Sequence, residues 1–325
     1  MKPAPFDYFA PQSTDEALHL LAEHGYDAKL LAGGQSLIPA MNFRLAQPAA
    51  LIDLNCIDEL AFVEPTDDGG VRIGAMTRQS TLERSELIRT RAPLLHATMP
   101  HIAHRQIRNR GTLGGSLAHA DPAAELPVVA VALAAHLRLR SRAGERWLSA
   151  ADCYVGLFTT DLADDEMLVE IDLPPMPPRS GWSFREIARR RGDYAIVGVA
   201  AFVTLDETGR CSQARLVYLS VGEGPTQAFA GQQLLTGETP SAELIAAAAE
   251  TAAHQDIDPT GDIHASIAFR RHLAGVLGRQ ALTEAFLRAE PICERSSDFV
   301  DRQRQAGRMG GRSALVAERL SAPRA

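Results

Sequence analysis

Cysteine is scarce in this chain. The four that occur, Cys56, Cys153, Cys211 and Cys293, stand far apart and form no C-x-x-C pair. Such spacing supports neither a disulfide framework nor a thiolate site for zinc or an iron–sulfur cluster, and the expected location is a reducing cytoplasm. Long apolar runs are missing too. The opening MKPAPFDYFAP carries early prolines and no apolar signal-peptide core, and no later stretch is long enough to cross a bilayer, so no membrane span is expected. Nor is there an excess of positive charge: a formal net charge of -7 argues against a nucleic-acid partner, which needs a basic field. The two densest basic runs, HRQIRNR from His104 to Arg110 and ARRRGD from Ala188 to Asp193, read as solvated surface. No G-x-S-x-G nucleophile elbow appears, which leaves an autonomous hydrolase unsupported. His96, His101, His104, His119 and Asp121 fall near one another, but no thiolate or E-x-x-H pattern joins them, so no metal site is expected.

What is present is ordinary globular composition over 325 residues, 46% apolar and 22% charged, enough for a large core and more than one packed unit. Ser13 followed by Glu16 is a capping-box pattern that opens a helix through Leu21, with Gly25 as its stop. AKLLAG and AALIDL then read as short buried strands. A second capping pattern, Ser80 with Glu83, predicts a helical stretch interrupted by Pro93 and Pro100 and reaching Gly111. In LPVVAVALAAHLRLR an apolar helix passes into a strand. PPMPP, Pro174 to Pro178, continues neither a helix nor an inner strand and predicts a domain boundary. Beyond it YAIVGVAAFVTLD and ARLVYLSVG read as strands. SAELIAAAAETAAHQ and HASIAFRRHLAGVLGRQALTEAFLR read as helices, the latter with an apolar face at Phe269, Leu273, Val276 and Leu277. Strands followed by helices point to an α+β unit. The charged segment after residue 290 is expected to be a flexible tail or arm.

Two loops stand out: KLLAGGQSLIP, with Gly33 and Gly34, and RNRGTLGGSLAHADPAAELP, with Gly114 and Gly115. Adjacent glycines permit positive φ and let a ligand approach main-chain N–H groups. A helix that follows favours an anion at its start, and the hydroxyls of Ser36, Thr112 and Ser116 add neutral donors. A tight strand-to-helix turn explains either pair alone, but two such loops fit a diphosphate held from both sides. The Rossmann fingerprint fits poorly. The first loop reads G-G-x-S, with Ile38 and Pro39 where a third glycine belongs, so Asp53 is better explained as closing its strand at a turn.

AGGQSLIPAMNFRLAQPAALIDLN, RNRGTLGGSLAHADPAAELP and FREIARRRGDYAIVGVAAF, with DIHASIAFRRHL further on, together resemble the FAD-binding medium subunit of the molybdenum hydroxylases, the xanthine dehydrogenase and carbon monoxide dehydrogenase group. The resemblance covers roughly residues 1–290. It implies a two-subdomain FAD-binding unit of the vanillyl-alcohol-oxidase-like, PCMH type, residues 1–55 and 56–176, followed by an α+β domain like the C-terminal domain of the carbon monoxide dehydrogenase flavoprotein at 177–290 and a tail at 291–325. It implies FAD gripped by Lys29, Leu30, Ala32, Gly33, Gly34, Gln35, Ser36 and Leu37 in the first loop and by Gly111, Thr112, Gly114, Gly115 and Ser116 in the second. Ile102, Ala103, Ala118 and His119 match cleft-lining positions, and Leu168 an apolar position beside the isoalloxazine. Glu125 stands where relatives usually carry a cofactor-contacting Asp. Tyr194 is expected to cover the flavin ring, or else to begin a core strand. Arg185 falls near a cation position, with Glu186 as the alternative occupant if the alignment slips by one. No acid–base residue is assigned, because flavin carries the redox chemistry.

The function so implied is electron transfer within a heteromeric enzyme. Electrons would arrive from the clusters of a small iron–sulfur subunit, fed by a large molybdopterin subunit, and leave FAD for an external acceptor, in an assembly expected to be a dimer of heterotrimers. A stand-alone FAD-dependent oxidoreductase and a non-catalytic nucleotide-binding protein remain as alternatives. The first would add a substrate pocket with a base near the flavin, and the second would lack the chromophore.

Overall fold

In a computed structural model, residues 2–290 are described; the expected tail, with Cys293, lies outside the described residues. The chain opens with strand β1 (Asp7–Phe9), helix α1 (Thr14–His24), β2 (Ala28–Leu31), α2 (Leu37–Asn42) and β3 (Ala50–Asp53). Parallel strands need crossovers, and the two helices supply them for a sheet of order β1-β3-β2. The expected caps are found: Ser13 Oγ accepts from Glu16 N at 3.2 Å, and α1 ends at Gly25 with φ 50°.

Next come β4 (Val63–Pro65), β5 (Val71–Gly74), and a run of short helices: α3 (Gln79–Leu82), α4 (Glu86–Arg91), α5 (Pro93–Thr98), α6 (Arg105–Arg108), α7 (Leu113–His119) and α8 (Glu125–Ala132). β6 (His136–Ser141), β7 (Gly144–Ser149), the small hairpin β8 (Tyr154–Gly156) and β9 (Thr159–Thr160), and β10 (Met167–Leu173) follow. β4, β5, β10, β6 and β7 form one antiparallel sheet in that order. Here the sequence expectation fails locally. α3 begins one residue before Ser80, whose side chain is buried inside the turn, and the capping hydroxyl in this region is that of Ser85, which accepts from Ile88 N at 3.3 Å. The reason is tertiary: Gln79 N is bound to Gly111 O at 2.9 Å, which fixes where the turn starts. Pro93 opens α5 at its first turn, where a missing N–H is harmless.

After the prolines, β11 (Ser180–Ala188), β12 (Ala195–Leu205), β13 (Cys211–Leu219) and β14 (Thr226–Gln227) pair antiparallel in chain order, and α9 (Phe229–Leu235), α10 (Ala242–Thr251) and α11 (Ile267–Ala289) complete the described chain. Every residue of β12 is buried because the sheet is covered twice. Val197, Val199, Ala201 and Val203 join the core under α10 and α11, whereas Ala200, with Phe184, Val217 and Leu219, joins the core of α5 and α8. This is why the strand reads as a continuous apolar run rather than an alternating one.

On α11 the expected apolar face is only half right. Leu273 and Leu277 are buried, but Phe269 is 45% exposed, and small residues, Ala274, Gly278, Ala281 and Ala285, carry the contact. They are small because the helix lies directly on the sheet: a methyl group at Gly181 of β11 would stand 1.9 Å from Ala285 O. Gly181→Ala is expected to destabilise the fold by about 1–3 kcal/mol by forcing α11 off the strand. A chemical-denaturation midpoint equal to that of the parent chain would contradict this packing.

Candidate functional site

The first glycine loop, Ala32 to Ser36, joins β2 to α2. Gly34 has φ +73°, a conformation that favours glycine. Gln35 Nε2 donates back to Gly33 O at 3.1 Å, and Ser36 Oγ makes no capping bond. Among the described residues the N–H groups of Gly33, Gly34, Gln35 and Ser36 donate to no protein acceptor. At the margins of the loop Lys29 is exposed and Leu30 and Leu37 are half-buried.

The second loop behaves differently. Leu113 N donates to Thr77 O, Gly114 N to Ala75 O and Ser116 N to Thr112 O, while Thr112 Oγ caps α7 by accepting from Gly115 N at 3.0 Å. The amides of Gly111, Leu113, Gly114, Gly115 and Ser116 are thus engaged within the protein. What this loop offers is a close surface and two hydroxyls, Ser116 and Thr112, the latter still able to donate its own proton. The glycines serve that closeness. A methyl at Gly33 would lie 2.5 Å from Arg110 O, one at Gly114 2.5 Å from Ala75 Cβ, one at Gly115 3.0 Å from Ala32 Cβ, and one at Gly111 2.7 Å from Gln79 Oε1.

A clamp holds the two loops together. The Arg78 guanidinium donates to Arg110 O in the second loop and to Asn55 Oδ1, and Asn55 Nδ2 donates to Ala32 O in the first at 2.9 Å. Asp53 orients Asn55, accepting from its N at 2.9 Å, and is itself bound by Tyr8 Oη at 2.6 Å. Burial disfavours the Asp53 charge, but the hydrogen bonds from Tyr8 and Asn55 outweigh it and lower its pKa. Burial, then the neighbouring Arg110, lowers that of Arg78. As expected, Asp53 closes its strand at a turn; Asn55 and Arg78 were invisible to motif reasoning, the only local sign being the D-x-N spacing after β3.

The remaining expected residues surround the α6–α8 region. Ile102 is buried, and Ala103 has φ 41°. The turn between β11 and β12 folds over them, for a methyl at Gly192 would strike the His104 ring at 2.5 Å and Ala103 O at 3.0 Å. Tyr194, at the end of that turn, precedes β12 and is 67% exposed, so it is not a core strand residue. Ala118 is exposed on α7, and the His119 ring lies 5.3 Å from that of Phe158. Leu168 is buried at a bulge of β10.

Arg185 is not brought to this group. It projects from the α11 face of β11 onto Glu284, with its guanidinium 2.7 Å from Oε2. Glu186 projects to the other face, where Oε1 lies 3.2 Å from His101 Nδ1. Alternation along a strand decides between the two positions, and the cleft side belongs to Glu186.

Three carboxylates gather at this end. Burial first, then Glu186 and Asp121, pushes the Glu125 carboxyl from its ordinary 4.5 up to about 8. Partial burial, then Asp121, Glu125 and Asp193, raises the Tyr194 phenol. The unfolded chain ionises Glu125 near its ordinary value while the folded chain keeps the proton to about 8, so its contribution to stability falls as pH rises through that window. Glu125→Gln cannot ionise. Its melting temperature, measured without flavin, is expected to gain on that of the parent chain between about pH 5 and about pH 8; parallel curves would show that Glu125 is already charged in the folded state.

Comparison with known proteins supplies the family. A family model described as the FAD binding domain in molybdopterin dehydrogenase matches residues 4–176, and one for the CO dehydrogenase flavoprotein C-terminal domain matches residues 182–285. The 6-hydroxypseudooxynicotine dehydrogenase complex subunit alpha of Paenarthrobacter nicotinovorans is 44% identical, over 90% of this chain and 99% of that one. The carbon monoxide dehydrogenase medium chain of Hydrogenophaga pseudoflava is 37% identical over 89% and 99%. Among solved structures, carbon monoxide dehydrogenase from the same organism superposes with a TM-score of 0.85 at 37% identity, and quinoline 2-oxidoreductase from Pseudomonas putida 86 with 0.83 at 38%; each match covers 89% of this chain and 99% of the other. With both of its α+β domains matched and the two loops locked edge to edge, the chain belongs to the FAD-binding medium subunits of the molybdenum hydroxylases, flavoprotein oxidoreductase subunits of molybdopterin-dependent dehydrogenase complexes.

Proposed function

We propose that this chain passes electrons from the iron–sulfur clusters of a small partner subunit through FAD to an external acceptor, in a dimer of heterotrimers whose large subunit carries molybdopterin and oxidises the organic substrate. The observation that carries this reading is the seam between the loops, where the amides of Gly33 to Ser36 have no protein acceptor among the described residues and the hydroxyl-bearing second loop packs against Gly33. That donor set, with Arg78 and Arg110 alongside, fits a diphosphate. When bound, FAD supplies a centre that accepts electrons and releases them again. The chain's own residues do the rest: the first loop binds, Arg78 and Asn55 fix the spacing of the two loops, and Tyr194 shields the ring. Ile102, Ala103, Ala118 and His119 line the cleft, and Leu168 packs behind it. Arg185, tied to Glu284, has no part in this arrangement.

Partner subunits are supported by the relatives, which are named as a subunit of a dehydrogenase complex and as a medium chain. Substrate identity belongs elsewhere. Relatives named for 6-hydroxypseudooxynicotine, caffeine, carbon monoxide and glyceraldehyde share this chain at 34–44% identity. Chemically unrelated substrates in the names of such similar medium subunits support recognition in another polypeptide. No helix among the described residues is long and apolar enough to cross a membrane.

Co-expression with an iron–sulfur and a molybdopterin subunit is expected to give a complex whose flavin absorbance bleaches when substrate is added, while the chain alone binds FAD but oxidises no organic substrate. Turnover of an organic substrate by the chain alone would overturn the subunit reading in favour of a stand-alone oxidoreductase. Within the site, Arg78→Ala is expected to weaken FAD binding about tenfold, as loss of a charge-assisted hydrogen bond to the loop does, and Arg78→Lys, which cannot bridge both partners, to restore little. Flavin-fluorescence titration reads the affinity. An unchanged value in both variants would remove the clamp from the account.

A further inference from the structure

The two basic runs of the sequence, far apart in the chain, meet in the fold. The turn carrying Arg189, Arg190 and Arg191 lies over the start of α6, with Gly192 against the His104 ring and the Ala103 carbonyl. Arg105 stands on that same short helix. Two of the arginines here are neutralised: Arg108 by Glu83 at 2.9 Å and Arg189 by Asp193 at 3.2 Å. Arg105, Arg190 and Arg191 are exposed and have no ion-pair partner among the described residues. In a chain of net charge -7 these three exposed arginines form a positive rim near the exposed Tyr194, whereas the carboxylates of Asp121, Glu125 and Glu186 at that end are half-buried.

We infer that this arginine rim, formed by Arg105, Arg190 and Arg191, is the docking surface for an acidic electron-carrier protein that takes electrons from the flavin. The inference deepens the proposed function and rests on it for the direction of electron flow. Charge of one sign around an exit point steers an oppositely charged partner and raises its encounter rate. A free anion such as a nucleotide fits less well, because it needs enclosing walls, whereas these side chains stand on an exposed turn. The redox step balances simply. Each docked carrier accepts one electron, two carriers oxidise one fully reduced flavin, and the protons taken up on its reduction return to solvent.

The test uses two forms of one probe, native cytochrome c, which is basic, and succinylated cytochrome c, the same haem protein made acidic. Binding to the immobilised full-length chain, with and without FAD, is the first readout. The expected result is that the succinylated form binds at least about tenfold more tightly than the native form at low salt, and that the preference fades as salt rises above about 0.1 M. Arg190→Glu with Arg191→Glu is expected to abolish the preference, and the neutral pair Arg190→Gln with Arg191→Gln to reduce it, with melting temperatures unchanged. Arg142→Glu with Arg279→Glu, an equal change of net charge on other exposed surfaces, is expected to leave it intact. Reoxidation of the photoreduced complex by each probe supplies the second readout, with the same ordering. Equal binding of the two forms, or equal loss in both charge-reversed variants, overturns the inference. So does failure of the Arg190→Glu/Arg191→Glu chain to join its partner subunits, which would make the rim a subunit interface. Failure of the functional reading is seen separately, as a chain that takes up no FAD.

Discussion

The approach of two loop backbones to within van der Waals contact is the constraint on which the rest of the site depends. A carbonyl of the second loop occupies the space where a side chain at Gly33 would begin, and Ala32 stands where one at Gly115 would. Only residues without a Cβ allow this, so the glycines are first a packing requirement and only through it a binding device. Holding donors unused is unfavourable by about 1–3 kcal/mol for each that water does not reach. The first loop keeps four donors without a protein acceptor along the seam, from buried Gly33 to exposed Ser36, a state that an anion relieves. The second loop has engaged its amides from Leu113 to Ser116 and serves as the wall against which the first is held.

Much of this architecture was legible because it is local. The Ser13 cap, the Gly25 stop, the two short strands around the first loop, and the apolar helix running into β6 are each set by residues within one or two turns of one another. β12 was legible as a strand as well, since its residues from Ala195 to Val203 carry no polar side chain, although its burial on both faces was not. What escaped was decided at a distance. Ser80 looked like a cap, but a hydrogen bond from Gln79 to Gly111, 32 residues on, sets the start of its helix. Phe269 looked like core, but α11 needs its smallest residues against the sheet because Gly181 brings the strand so near.

The Arg185 position shows the same limit more sharply. One residue along a strand is the difference between two faces, and no reading of a single sequence fixes the register to that resolution. In the fold the odd positions of β11, Ser183 and Arg185, meet Glu284 of α11, and the even positions, Phe184 and Glu186, meet His101. The sheet is therefore a partition, with a charged network sealing the helix side and a carboxylate delivered to the cleft side.

That partition gives the cleft two electrically different ends. At the glycine seam the nearest charges are Arg78 and Arg110, with Asp53 tied up by Tyr8 and Asn55. At the Tyr194 end they are Asp121, Glu125 and Glu186, and burial, reinforced by the other two carboxylates, keeps the proton on Glu125 toward neutral pH. A doubly negative centre is favoured at the seam and disfavoured at the Tyr194 end, where ionised carboxylates would face it in a half-buried space. Turning a long ligand end for end about that centre leaves the centre at the seam, so charge fixes its position along the cleft, and its sense is left to contacts with its two ends. The glycine seam contributes the spacing that lets the negative centre come close.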